Sequence, residues 1–306
     1  DLQRKFGIKE VKPWHYSDPF FQEPPETGEF SLDNLFRETD IPEVTRQTYL
    51  GMGMDIGDLL SNSDLYERKG KNPHGFCLDV DRKGDILVLC NIRNDARWMK
   101  TTLHEFGHAV YSAHHNQTLP FWLRTPAHIF TTEAIALFMD RLVLSPFWLE
   151  KFPRIPSPQV QHISRQVVSQ LKERLLVFTR WVLVMCEFER KLYEHPEGDL
   201  NRTWWECVRR FQGVQMPEGR EKKEDWACKI HLSIAPVYYH NYLLGEVWAT
   251  QLERKISPEE KVSRSVGDFL VHQVFTPGSS LPWDDFIVKV LSEPINPQPL
   301  LDFLVS

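Results

Sequence analysis

The sequence predicts a mainly α-helical protein carrying one small β-hairpin. Three observations lead there. Beyond Asn94, apolar residues recur at helical spacing almost to the end of the chain. Residues 74–92 are instead rich in strand formers, split by the turn-like tetrad Asp81-Arg82-Lys83-Gly84. The composition, 42% hydrophobic and 12% aromatic over 306 residues, supports a sizeable packed core and excludes a disordered chain.

The elements follow in order. Residues 1–30 contain Pro13, Pro19, Pro24, Pro25 and several aromatics, and are expected to form an irregular lead-in packed on the folded body. A helix is expected to open at Ser31. A second starts at Pro42, which suits a first helical turn, and runs to about Leu60. His74 to Val80 and Asp85 to Ile92 are the expected strands, with Gly84 supplying the positive φ of the turn. Their edge would suit an extended ligand. Helices are then expected at 95–116, 132–144, 158–194, 199–211 and 236–256. In the long one, Val167, Leu171, Leu175, Leu176, Val182 and Leu183 mark the buried side. Ser257-Pro258-Glu259-Glu260 has the form of a capping box, and two short helices close the chain. No internal repeat is visible, and residues 1–306 read as a single domain. The chain opens Asp-Leu-Gln-Arg-Lys, without Met, so it is expected to be the C-terminal portion of a longer protein.

Charge and cysteine usage narrow the function. The net charge is -6, and Arg220, Lys222 and Lys223 alternate with Glu218, Glu221 and Glu224 as a solvated segment. No clustered basic face for nucleic acid results. The most apolar run, Leu175 to Cys186, is too short to span a membrane and contains Arg180. Five widely spaced cysteines without a C-x-x-C pair read as buried free thiols, with a Cys77–Cys90 bridge across the hairpin left open.

The informative segment is Leu103-His104-Glu105-Phe106-Gly107-His108-Ala109-Val110. Residues at i and i+4 lie one helical turn apart, so His104 and His108 can reach one Zn2+ ion. Glu105, one step around the helix, is placed for a zinc-bound water and is the expected catalytic base. Trp98, Leu103, Phe106, Ala109 and Val110 would bury this helix, and Gly107 would admit a close neighbour. A catalytic zinc needs a third protein ligand. Glu133, at the start of the next helix, is the expected one, with His128 as its competitor. His114, His115 and His240 read as ordinary surface or packed residues.

His104-Glu105-Phe106-Gly107-His108 followed by Glu133-Ala134-Ile135 resembles the zinc peptidases of the angiotensin-converting enzyme family. The related thimet oligopeptidase and oligopeptidase F family shares the same pentad. Either resemblance implies a two-lobed helical zincin (gluzincin) around a deep channel, of which this chain would be the catalytic part. An upstream N-terminal half would complete the channel wall. Lys229-Ile230-His231 and Tyr239-His240-Asn241-Tyr242 are similar to the converting-enzyme pattern. The resemblance assigns Lys229 and Tyr239 to the substrate's C-terminal carboxylate, and His231 and Tyr242 to the oxyanion. It implies hydrolysis of short peptides, with release of C-terminal dipeptides. The alternatives are an endo-acting oligopeptidase and an inactive binding module, the latter disfavoured by the intact Glu105. Departures are visible. Leu137 stands where the converting enzymes have an Asp that orients a zinc histidine, and Asp140 lies on the same helix face as a substitute. Asn241 replaces their chloride-binding Arg, so chloride activation is not implied. His231 and Tyr242 are one residue further apart than in that family.

Overall fold

The computed structural model describes residues 7–16, 18–24 and 32–305, so the helix start expected at Ser31 lies outside the described residues. The chain is mainly helical, with one two-stranded antiparallel sheet among those residues. Its main helices are α1 (Ile41–Gly51), α2 (Ala96–Ala113), α3 (Ile129–Asp140), α4 (Ser157–Glu194), α5 (Leu200–Gln212), α6 (His240–Arg254) and α7 (Trp283–Leu291). None is long and apolar enough to cross a membrane. The chain divides into two compact units, one of Phe30–Val168 with Leu244–Ser306, the other of Asp1–Glu29 with Ser169–Leu243.

In the larger unit, Asp40 caps α1 and Pro42 sits in its first turn. The helix does not continue to Leu60. Gly53, at φ 81°, turns the chain, and a separate short helix Gly57–Ser61 follows. Strands β1 (Phe76–Asp79) and β2 (Ile86–Leu89) pair with Phe76 opposite Leu89 and Asp79 opposite Ile86, both shorter than the sequence suggests. Asp79 accepts from the Arg82 amide, and Asp81 from the amides of Lys83 and Asp85. Gly84 takes the expected positive φ, and Arg82 does so as well. The register sets Cys77 opposite Val88, not Cys90. All five cysteines are free, and Cys228 is exposed where a buried thiol was expected.

Helix α2 begins where the Asp95 carboxylate accepts from the Trp98 amide at 2.7 Å. Trp98, Leu103, Phe106, Ala109 and Val110 are buried as the periodicity predicts. Beyond its end, His115 departs from expectation. It is buried edge-on to Tyr111, with ring centroids 5.5 Å apart, and burial pushes its pKa down to about 4. Helix α3 starts earlier than expected because the His128 ring caps it, accepting from the Phe130 amide. It ends in a 3-10 turn, Arg141–Leu144.

Two glycines set how closely the helices approach. A methyl on Gly107 of α2 would lie 2.9 Å from the Cα of Ala136 on α3. A methyl on Gly245 of α6 would lie 3.0 Å from the Cβ of Glu133. Arg141, at the end of α3, is buried and pairs with Glu246 and Glu253 of α6, the latter at 2.6 Å, while Thr250 accepts at 3.2 Å. Ser257 does bond Glu260, but only a turn forms there. Val262 is drawn into the core, and Ser263 caps the next helix, Arg264–Phe269.

The smaller unit has its own core around Trp181, Met185, Phe188, Trp204, Val208 and Val214. Val11 bridges to Val214, and Gln212 donates to the Phe21 carbonyl, so the described part of the lead-in is packed as expected. The apolar arc of α4 is narrower than the sequence suggests. Val167, Leu175 and Val182 are buried, whereas Leu176 and Leu183 are exposed. Asp199 caps α5, and Gly213 ends it in the left-handed conformation. Helix α6 starts at His240 rather than at residue 236, because Pro236 and a φ of 55° at Val237 turn the chain first.

The Gly107 contact is testable. Alanine is the better helix former by about 1 kcal/mol, but its methyl would meet α3 backbone. Gly107→Ala is therefore expected to lose about 1–3 kcal/mol of stability by overpacking, measured by urea denaturation; a gain would remove the steric role given to Gly107.

Candidate metal centre

One turn of α2 separates His104 from His108, and the two rings meet edge-on with centroids 4.9 Å apart. Their Nε2 atoms are 3.3 Å apart. The close approach of α3 brings Glu133 to them, its Oε2 3.7 Å from Nε2 of His104 and 3.9 Å from Nε2 of His108. A tetrahedral zinc with bonds of about 2.0–2.2 Å needs donors about 3.3–3.6 Å apart. The observed spacing comes within a few tenths of an ångström of that range. Two imidazoles and one carboxylate also form a donor set that leaves a fourth position open. The three donors fit a catalytic zinc.

The far side of each ring is engaged too. Nδ1 of His104 lies 3.3 Å from Oδ2 of Asp140, and Nδ1 of His108 lies 2.7 Å from Oγ1 of Thr132. Such contacts hold a ligating ring with its proton on Nδ1 and its Nε2 lone pair turned to the metal. Helix α3 thus supplies a donor, the carboxylate behind one histidine and the hydroxyl behind the other. Asp140 stands where the expected substitute for the converting-enzyme Asp would stand, whereas nothing in the sequence marks Thr132. His128, the competing ligand, is used as the cap of α3 and is not in the converging group.

The charges are unevenly shared. Burial alone would depress His104, but Asp140, Glu105 and Glu133 outweigh it and raise its pKa to about 9. Burial and the charge on His104 push His108 well below its ordinary value. Glu105 is buried, and burial pushes it up to about 7, with His104 opposing and Glu133 adding to the rise. A methyl on Gly75, just before β1, would come 3.2 Å from Oε1 of Glu105, so that glycine leaves the carboxylate its room.

The remaining candidates belong to the smaller unit. The Tyr242 hydroxyl is 3.5 Å from Nε2 of His231. Nδ1 of His231 is buried without a hydrogen-bond partner, and burial lowers the pKa of the ring. Lys229 and Tyr239 share one acceptor, Oε1 of Gln22, at 3.1 and 3.3 Å. Trp181 donates to the Tyr239 hydroxyl at 2.8 Å. The buried Lys229 ammonium sits 4.5 Å from the centroid of the Phe20 ring and 5.3 Å from those of Trp181 and Tyr239. Burial pushes Lys229 down to about 8 against the charge of Asp18, and Tyr239 up to about 12. The side chain of Asn241 is turned to the Tyr238 carbonyl, to which it donates at 2.8 Å.

A model of peptidase family M3 matches residues 61–305. The chain belongs to peptidase family M3. The matched span contains every candidate residue from His104 to Tyr242 and leaves out Gln22. Membership in M3 indicates a metallopeptidase, and it does not favour the converting-enzyme family specifically. No curated protein matches the chain.

Metal affinity checks this geometry. Asp140→Asn is expected to weaken zinc binding about 10- to 100-fold, and Glu133→Ala to weaken it further. His128→Ala is expected to leave affinity unchanged. Competition with a chromophoric chelator measures all three, and a loss at His128 matching that at Glu133 would reassign the third ligand.

Proposed function

We propose that this chain is a zinc-dependent peptidase of short peptides, with His104, His108 and Glu133 as ligands and Glu105 as general base. The convergence of three donors beside a buried carboxylate carries this reading. When bound, zinc supplies a Lewis acid and brings the pKa of a coordinated water towards about 7. Glu105 accepts the proton released in the attack and returns it to the leaving amine. Its burial, which raises the carboxyl's proton affinity, suits it to holding that proton between the two transfers. The resemblance gives His231 and Tyr242 the oxyanion, to which a ring N–H and a phenol O–H would donate. It gives Lys229 and Tyr239 the peptide's C-terminal carboxylate. In support, Lys229 is a buried ammonium facing ring systems and a neutral carbonyl, with no carboxylate in salt-bridge contact among the described residues.

On this reading the enzyme releases C-terminal dipeptides. The second reading, an oligopeptidase cutting internal bonds, keeps the same base and ligands but does not use Lys229. Blocking the C-terminus separates the two, since amidation would abolish dipeptide release and spare internal cleavage.

Glu105→Gln is expected to bind zinc like the parent while kcat falls about 10²- to 10⁴-fold. A variant hydrolysing peptides at the parental rate would falsify the assignment of the base. The pH dependence tests Lys229. Its pKa of about 8 leaves the ammonium charged below that pH and neutral above it. KM for a peptide with a free C-terminus is expected to be low below pH 8 and to rise as pH passes through 8, whereas an amidated peptide should show no such rise. Identical KM profiles would withdraw the carboxylate role and favour the oligopeptidase.

A further inference from the structure

We propose that Thr132 is a positioning residue for the zinc ligand His108; the inference rests on the zinc reading above. A histidine that ligates through Nε2 must keep its proton on Nδ1, and that proton needs an acceptor in a buried site. The two ligand histidines solve this differently. His104 turns Nδ1 to the Asp140 carboxylate at 3.3 Å, while His108 turns Nδ1 to the Thr132 hydroxyl at the shorter distance of 2.7 Å.

The ordinary behaviour of threonine in this fold makes the contact specific. Helical threonines usually return their hydroxyl to a carbonyl of their own helix. Thr45 bonds the Ile41 carbonyl, Thr48 that of Val44, Thr102 that of Trp98, Thr131 that of His128 and Thr250 that of Glu246. The hydroxyl of Thr132 reaches instead across to α2 and the ring of His108. Thr132 directly precedes Glu133, so the backbone that presents the carboxylate donor also fixes the height of the hydroxyl. With Nε2 given to the metal, Nδ1–H donates to Oγ1. The acceptor is neutral, so one ligand ring is held by a carboxylate and the other without added charge.

The test uses the full chain and zinc alone. Thr132→Val removes the hydroxyl and keeps the shape; Thr132→Ser keeps the hydroxyl. Chelator competition is expected to show affinity about 10- to 100-fold weaker for the valine variant and close to the parent for serine. Thermal melts of the metal-free proteins are expected to coincide, and nitrogen NMR of the zinc-loaded parent is expected to show His108 protonated at Nδ1. If the valine variant folds poorly, Thr132→Ser against Thr132→Ala repeats the comparison across one hydroxyl. Zinc held as tightly by valine or alanine as by serine, or a His108 protonated on Nε2, overturns the proposal. A parent that binds no zinc overturns the zinc reading itself, a failure distinct from equal affinities among the variants.

Discussion

The contact between Gly107 and the backbone of Ala136 governs the geometry of the metal centre. A side chain at 107 would hold α3 away from α2, and Glu133, Thr132 and Asp140 all ride on α3. Because the helices touch at backbone level, one short helix can bring a carboxylate oxygen to both histidines and engage the far nitrogen of each. The second glycine, Gly245, does the same for α6, which lies against the Cβ of Glu133. Arg141 then locks the end of α3 through two carboxylates of α6. Its guanidinium is buried, so removing both carboxylates would leave it without a charge partner.

The site brings ionisable groups together out of water. His104, Glu105, His108, Glu133 and Asp140 share a small volume, and their proton affinities diverge as a result. In the smaller unit, Lys229 is treated oppositely. Ring faces and an amide carbonyl surround it, and burial weakens its charge by more than the charge of Asp18 supports it.

What could be read from the sequence was local or periodic. His104 and His108 follow from helical spacing, Glu133 from a helix that returns on the first, and Asp140 from a seven-residue step on α3. The hairpin and its glycine turn were legible for the same reason, as was the 38-residue α4. What escaped depends on contacts between distant segments. Gln22 meets Lys229 across 207 positions of chain. His115 is buried by the packing of Tyr111, and Leu176 and Leu183 are exposed because the neighbours of α4 cover a narrow arc. The Ser257 box carries a helix-start pattern, yet only a turn forms there and the helix begins after Ser263. Lys229-Ile230-His231 is similar to the converting-enzyme pattern, while the span 61–305 matches family M3.

The missing methyls at Gly107 and Gly245 have a further consequence. They place three donors within 4.8 Å of one another through backbone packing, before any ion arrives. A metal entering such a site has little chain left to order, unlike the ion of a small domain that folds only around it. The core that holds α2 and α3 together is built from side chains such as Phe106, Phe130, Phe138 and Trp248, none of which is a ligand. On the proposed zinc reading, removing the ion would leave those packed contacts in place.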